Sequence, residues 1–334
     1  MIRQHVLRIM TVGMMMCCVV CAAAQVSAAQ FKVMVVLSYD RQFAWERDIV
    51  EGILSVLGES SDIQYVEMNT KADFAGGQQK AQEAYALYQQ FQPDGIITAD
   101  DNAISMFVLP YIKDKVKTPV IFCGVNAEPE KYGFPASNVS GVLERTHYLS
   151  SLALAKQLVP TLKTYSFMEK KDPSAEENLK QLKKQIPADE FRFVEAKMPV
   201  TLKEALAMAT ELNAQSDALI MSTLTGLLDD NGKALTDETA VPLVNQAFGK
   251  PVLGTMDSQV AMGGILCTVA KTGQEQGTLA AEMLLKAMQG TPLSQLPITQ
   301  NQQGKRVINV STMKTLGITP KPEALRGVEL VTTK

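Results

Sequence analysis

"TPVIFCGVN" (118–126) reads as a strand that ends in small and polar residues. Val120, Ile121 and Phe122 form an apolar run of the kind buried on both faces of a parallel sheet, and Cys123, Gly124, Val125 and Asn126 close it. Upstream, "DGIITADD" (94–101) has the same build, with two aspartates at its end. Two such runs in series leave one question at their tips. Cys123 is either a nucleophile or a strand-closing hydrophobe beside a binding cleft.

The pattern extends in both directions. "FKVMVVLSYD" (31–40), "IQYVEMNT" (63–70) and "NVSGVLE" (138–144) join these two as strand candidates. A second series follows in "TYSFMEKK" (164–171), "FRFVEAKM" (191–198), "DALIMSTLTG" (217–226), "PVLGTMDS" (251–258) and "GGILCTVA" (263–270). Helical stretches such as 45–58, 76–91 and 201–215 lie between them, and this alternation is the mark of βαβ units. The fold class expected is α/β, with two doubly wound parallel-sheet lobes. After Ala270, residues 272–290 form an amphipathic helix with Leu279, Met283, Leu284 and Met288 on one stripe, and "KRVINVSTMKTLGI" (305–318) adds a late strand and a short helix. Elements that follow two complete series imply several crossings between lobes, a hinge rather than a single linker. The boundaries expected are 30–142 with 271–302 for the N-terminal lobe, and 143–270 with 303–334 for the C-terminal lobe.

Residues 1–29 read as a cleaved secretory signal peptide. Arg3 and Arg8 precede an apolar run from Ile9 to Ala24, and "QVSAAQ" (25–30) supplies small residues for cleavage. Cys17, Cys18 and Cys21 raise a lipoprotein anchor as the rival, but none follows the small residue such signals require. The expected location is the periplasm. Two of the 32 basic and none of the 35 acidic residues fall in the leader, so the rest carries 30 against 35, a net charge of −5. A mildly acidic chain without a basic run argues against nucleic acid or anionic lipid as a partner. Cys123, Cys267 and His147 are too few for a disulfide framework or most zinc sites, so neither metal nor cofactor is expected. A Cys123–Cys267 bridge stays open.

In open α/β sheets, ligands bind beyond the carboxyl ends of the strands. Here those ends read Ser38-Tyr39-Asp40, Asp100-Asp101-Asn102, Gly124-Val125-Asn126, Met168-Glu169-Lys170, Ser222-Thr223-Leu224-Thr225 and Thr255-Met256-Asp257-Ser258. Hydroxyls, amides and carboxylates converging from two lobes suit a small polar or zwitterionic ligand, with an ammonium seeking Asp100, Asp101 or Asp257. The plainer reading is that such residues cap helices, Asp101-Asn102 and Asp257-Ser258 above all. Trp45, the sole tryptophan, either anchors the first helix beside Ile49 and Ile53 or stacks on a ligand. No G-x-S-x-G, P-loop, G-x-G-x-x-G or H-E-x-x-H pattern follows the leader, and Cys123 has only His147 to serve as base. An enzyme is not expected.

Residues 96–133, "NVSGVLE" (138–144), "DSQVAMGGILCTVAKTGQEQGTLAAEMLLKAMQG" (257–290) and "NVSTMKTLGITPKPEAL" (309–325) resemble the ABC-transporter substrate-binding family that includes periplasmic tryptophan- and tyrosine-binding proteins. The resemblance implies a type I periplasmic binding protein whose lobes close on a ligand for delivery to an inner-membrane ABC permease. "SYDRQFAWERDIVEGI" (38–53) and the pair "DDNA … FCGVN" resemble the branch that also serves as extracytoplasmic sensors of histidine kinases and diguanylate cyclases. A soluble module presenting its closed form to a membrane receptor is thus the alternative. The sequence closes at Lys334 without a signalling domain, so a stand-alone, monomeric binding protein is expected first. Carried over, the family's cleft implies Ser38, Tyr39, Asp100, Asp101, Gly124 and Asn126 in the first lobe. Glu169, Thr223, Thr225 and Asp257 lie across from them, with Glu144 near the crossing. Ala127-Glu128-Pro129 stands where transporter members have Asp-Pro, which leaves an aromatic amino-acid ligand unsecured.

Overall fold

The computed structural model describes residues 31–171 and 173–333. The leader and its cysteines lie outside the described residues. Two sheets carry the fold, and each strand of the sequence reading falls within one of them. The first contains β1 (Phe31–Leu37), β2 (Ser61–Glu67), β3 (Gly95–Ala99), β4 (Val120–Val125), β5 (Val139–Leu143) and β11 (Thr299–Gln300), in the order β11-β5-β4-β3-β1-β2. The second holds β6 (Thr164–Met168), β7 (Arg192–Lys197), β8 (Ala218–Met221), β9 (Val252–Leu253), β10 (Ile265–Ala270), β12 (Lys305–Asn309) and β13 (Glu329–Val331), in the order β13-β12-β10-β9-β8-β6-β7. All pairings are parallel except β10 with β12. The strands are shorter than their apolar runs: β9 keeps only Val252 and Leu253, because Gly254 leads into a loop that caps the next helix.

Every residue of β3 and β4 is buried, as a sheet covered by helices on both faces requires. On one face Val33, Val35, Leu37, Ile97, Ile121 and Cys123 pack under α1 (Ala44–Leu57) and α9 (Gly273–Met288). On the other, Met34, Val36, Ile96 and Phe122 meet α2 (Gly77–Phe91) and α3, which begins at Asp100–Ala103 and continues as a π-helix over Ile104–Ile112. Pro110 sits in that wider turn, where the missing N–H makes a regular α-helix unfavourable. In the second sheet Tyr165, Phe167, Ile220 and Cys267 pack beneath α4 (Tyr148–Leu158) and α5 (Pro173–Gln185). Met168, Leu219, Met221 and Val252 pack beneath α6 (Leu202–Asn213) and α7 (Asp237–Phe248).

The chain passes between sheets three times: after β5, between β10 and α9, and between β11 and β12. The amphipathic helix after Ala270 therefore belongs with the first sheet. It crosses α1 at very close range, since a Cβ on Gly277 would overlap the backbone of Ile49, and one on Gly52 the backbone of Gln274. Asn301, 2 % exposed, ties the crossings together. Its Oδ1 accepts from Arg145 N at 2.8 Å and Gln276 Nε2 at 3.1 Å, while its Nδ2 donates to Arg145 O and to His147 Nε2. No helix among the described residues is long and apolar enough to cross a membrane.

Candidate functional site

In the first sheet the strand order reverses between β1 and β3, the switch point where an open α/β sheet leaves a crevice. Ser38 closes that point from below. It is fully buried, its hydroxyl donates to Ala99 O at 2.6 Å and accepts from Ala103 N at 2.9 Å, and its carbonyl accepts from both Thr70 N and Thr70 Oγ1. Ser38 thus holds β1, β3, α3 and the loop after β2 in one knot.

Above it stands an acidic cluster. Asp100 is 4 % exposed and takes φ +65°, a left-handed backbone that costs an ordinary residue about 1 kcal/mol or more and that aspartate tolerates better than most. Its Oδ1 accepts from Trp45 Nε1 at 3.1 Å. Its Oδ2 and the Oε2 of fully buried Glu46 are buried without a hydrogen-bond partner. Burial, joined by the charges of Glu46 and Glu144, pushes the Asp100 carboxyl well above the usual range, and burial raises Glu46 to about 7. Burial thus favours the protonated form of both carboxyls. Glu46 Oε1 accepts from Tyr39 N at 2.9 Å. Burial and the surrounding carboxylates, Asp100 first among them, push the Tyr39 hydroxyl well up.

Gly124 makes the arrangement possible, because a Cβ there would stand 2.7 Å from Asp100 Oδ1 and the residue adopts φ +68°. Its N–H donates to Gln276 Oε1 at 2.9 Å. Asn126 Nδ2 donates to Glu144 Oε2 at 3.1 Å, and the other oxygen of Glu144 pairs with Lys271. Asp101, in the first turn of α3, is spent on the segment after β4: its carboxylate accepts from Asn126 N, Ala127 N and the Tyr132 hydroxyl. The helix-capping role the sequence allowed is not the one found: Ala99 is the N-cap of α3 and no side chain caps it, while Asp101 lies within the first turn and braces a distant loop.

On the second sheet the expected residues lie on strand ends around its own switch point between β6 and β8. Glu169, 1 % exposed, accepts from Asn178 Nδ2 at 3.1 Å. Thr223 Oγ1 donates to Asp237, and exposed Thr225 donates its N–H to Thr223 Oγ1. Asp257 opens the short helix α8 (Asp257–Ala261) and faces Lys305 at 3.4 Å.

A cavity of about 570 Å³ spans the two sheets' elements. Phe43, Trp45 and Asp48 wall it on one side, Met256, Asp257 and Ser258 on the other, and the crossing segment Lys271–Gln274 lies beside them. Of the expected site residues Asp257 alone lines it. Trp45, whose role the sequence left open, takes the anchoring reading, since its ring packs on the α1–α9 core; it also lines the cavity and hydrogen-bonds Asp100. Trp45 is the link between the cavity and the acidic cluster behind it.

Cys123 is fully buried and free, and burial, with Asp100 next, drives its thiol well up. Cys267 is equally buried and free in the other sheet, so no bridge joins them. Burial lowers His147, which accepts from Asn301 at the crossing.

Glu46, Phe43 and Lys71 were missed by the sequence reading. Glu46 had a signal, for Glu46, Ile49, Val50, Ile53 and Leu57 share one helical stripe, all buried. Lys71 had none, since it sits on a loop that no periodicity places.

A sequence profile of the ABC transporter substrate binding protein family matches residues 32–328. No curated protein matches the sequence. Among solved structures, a ligand-free, open substrate-binding protein with adhesive properties from Clostridium difficile superposes with a TM-score of 0.68 at 18% identity, over 91% of this chain and 100% of that one. An ABC domain in complex with L-Trp from Streptococcus pneumonia gives 0.54 at 19%, over 90% and 99%. A periplasmic ribose ABC transporter from Conexibacter woesei gives 0.54 at 15%, over 87% and 95%. The chain belongs to the ABC transporter substrate-binding protein family and has the fold of a type I periplasmic binding protein.

Proposed function

We propose that this family member captures a small polar ligand, an amino acid or a related molecule, between its two lobes in the periplasm and delivers it to an inner-membrane ABC permease. The observation that carries the reading is the cavity of about 570 Å³ walled by both lobes, large enough for such a molecule and bordered by a crossing segment. Tyr39, Asp100, Asn126 and Glu144 would meet the ligand from the first lobe, and Glu169, Thr223, Thr225 and Asp257 from the second as the lobes close. A ligand that touches both lobes only when they are closed shifts the population toward that state. Ser38, Asp101 and Gly124 would shape the floor. The nearby aromatic groups and the paired charges suit a molecule with an apolar body and a charged end, as in the L-Trp complex of the relative.

The test is a thermal-shift screen of the protein from Gln30 onward against amino acids, nucleosides, small peptides, organic acids and sugars. Binding to the folded state alone adds about 2.7 kcal/mol of stability at a hundredfold excess over Kd, a shift of several degrees. A shift confined to one class identifies the cargo. No shift with any class removes the solute-binding reading.

A further inference from the structure

Lys71 occupies an unusual place. Its ammonium lies 3.2 Å from the centroid of the Phe43 ring and 4.8 Å from that of Tyr39, and the two rings meet edge to face at 5.6 Å. Phe43 also lines the interlobe cavity. Asp100 and Glu46 supply a negative field to the same ammonium, yet no carboxylate among the described residues pairs with it within salt-bridge distance. Lys71 is exposed, on a loop fastened at Thr70 by its bonds to Ser38 and Asn102 and running on past exposed Phe74. The nook thus combines two aromatic faces, a buried carboxyl pair with one unpartnered oxygen on each member, and a cation held only by rings and field. An aromatic face backed by negative charge attracts cations in general, and it distinguishes poorly between a lysine and a ligand amine.

We propose that Lys71 is an internal stand-in for the ligand, and that the cleft selects molecules bearing a cationic nitrogen, which displaces the Lys71 ammonium from the Tyr39 and Phe43 rings. This rests on the reading of the interlobe cleft as the binding site. Displacement costs little in the first lobe, because the exposed lysine head regains water as it leaves. The incoming nitrogen, enclosed as the lobes close, takes over the field of Asp100 and Glu46 in a drier setting where it acts more strongly. Lys71 then functions as a competitor built into the open state, keeping the acidic nook neutralised until a better cation arrives.

The probes are choline, phenethylamine, L-phenylalanine and, as the anionic match, 3-phenylpropionate. Lysine methyl groups introduced by reductive 13C-methylation report the position of Lys71 by NMR, with Lys71→Arg assigning its resonance. In the free protein that resonance is shifted by the rings. The result expected is that at least one amine binds and returns the resonance to the position of a solvated lysine, while 3-phenylpropionate does not. Lys71→Ala removes the competitor and tightens amine binding about three- to thirtyfold, the range of a cation–π contact. Amine binding that leaves the Lys71 resonance in place, or that Lys71→Ala weakens, overturns the proposal. Binding of 3-phenylpropionate that is lost in Lys71→Ala overturns it too, since Lys71 would then be a carboxylate partner. If none of the amines binds while the thermal-shift screen finds another class, this inference falls and the solute-binding reading stands.

Discussion

Trp45 Nε1 donates to Asp100 Oδ1 at 3.1 Å across 55 positions of sequence, joining the first turn of α1 to the residue that follows β3. The bond couples the only indole in the chain to a carboxyl that burial, with the charge of Glu46, pushes well above the usual range. Intrinsic tryptophan fluorescence is therefore a local reporter of that pair. Emission is expected to titrate with a midpoint near 7 in the wild type, following the raised Glu46, and to lose that transition in Glu46→Gln. A flat profile between pH 5 and 9 in the wild type would show that the pair does not change charge there. The groups facing it are Tyr39, Lys71, Glu67, Asp101 and Glu144, with the thiol of Cys123 behind.

The same pair sets a pH dependence of stability. Glu46 binds its proton more tightly folded than unfolded, so its contribution is complete below the unfolded value near 4.5 and is lost as pH rises through about 7. Above that, a buried carboxylate works against folding. Glu46→Gln keeps an oxygen for Tyr39 N and gives Asp100 an amide donor, with no charge to bury. It is expected to raise stability by about 1–3 kcal/mol at pH 8 and by much less at pH 5. Urea unfolding at the two pH values measures the difference. Equal effects at both would remove Glu46 as the titrating group.

The α1–α9 crossing gives a prediction independent of the cleft. Gly277→Ala places a methyl group into the Ile49 backbone, which cannot move aside as a side-chain tip would. Overpacking of this kind costs about 1–3 kcal/mol, a lower Tm by several degrees in this lobe. Thr278→Ala, one position on, removes only a long 3.5 Å bond to Gly52 O and should be nearly silent. If both variants melt alike, the helices are not held at backbone contact.

The sheets were legible because their central strands, such as β3, β4, β8 and β10, are apolar runs buried on both faces, and local pattern alone reports that. β12 was legible as a late strand, but the edge strands β11 and β13 were not, since Thr299–Gln300 and Glu329–Val331 are too short and too exposed to leave a pattern. The strand-end residues were found as a set but not sorted. Asp100 and Asp101 are adjacent and chemically identical. Only the φ of +65° at Asp100, with Gly124 making room, sends one carboxyl inward to Trp45 and leaves the other to bind Asn126 and Tyr132. Backbone handedness at one residue is a tertiary outcome, and the sequence carries no sign of it.

Asn301 makes four hydrogen bonds from one amide to the crossing at Arg145–His147 and to Gln276. Asn301→Ala leaves the Arg145 N–H and carbonyl and the Gln276 amide without those partners in a buried site. The expected loss is about 2–4 kcal/mol, from several unmet polar groups at once. Asn301→Asp keeps the acceptor but sets a carboxylate oxygen against the Arg145 carbonyl and the His147 ring. A neutral imidazole offers it one N–H, and a protonated one would also bring charge. Stability of Asn301→Asp should accordingly recover toward low pH while that of Asn301→Ala does not, as chemical denaturation at pH 5.5 and 8 would show.

The last prediction concerns the thiol at the end of β4. Cys123 is fully enclosed beneath α1 and α9, with its protonated form favoured by burial and by the Asp100 charge, so it has neither the exposure nor the thiolate that a nucleophile needs. Cys267 shares the burial from the other sheet. Both thiols should resist a maleimide or an aromatic disulfide reagent in the native protein from Gln30 onward, and both should react at once in guanidinium chloride. Cys123→Ser should keep ligand affinity within about twofold while lowering stability by about 1–3 kcal/mol, the cost of a hydroxyl that finds no partner in an apolar layer. Rapid native labelling of Cys123 alone would reverse the assignment. It would mean that the α1–α9 cover opens on the reagent's timescale, and the strand tip would then have to be reconsidered as a reactive centre.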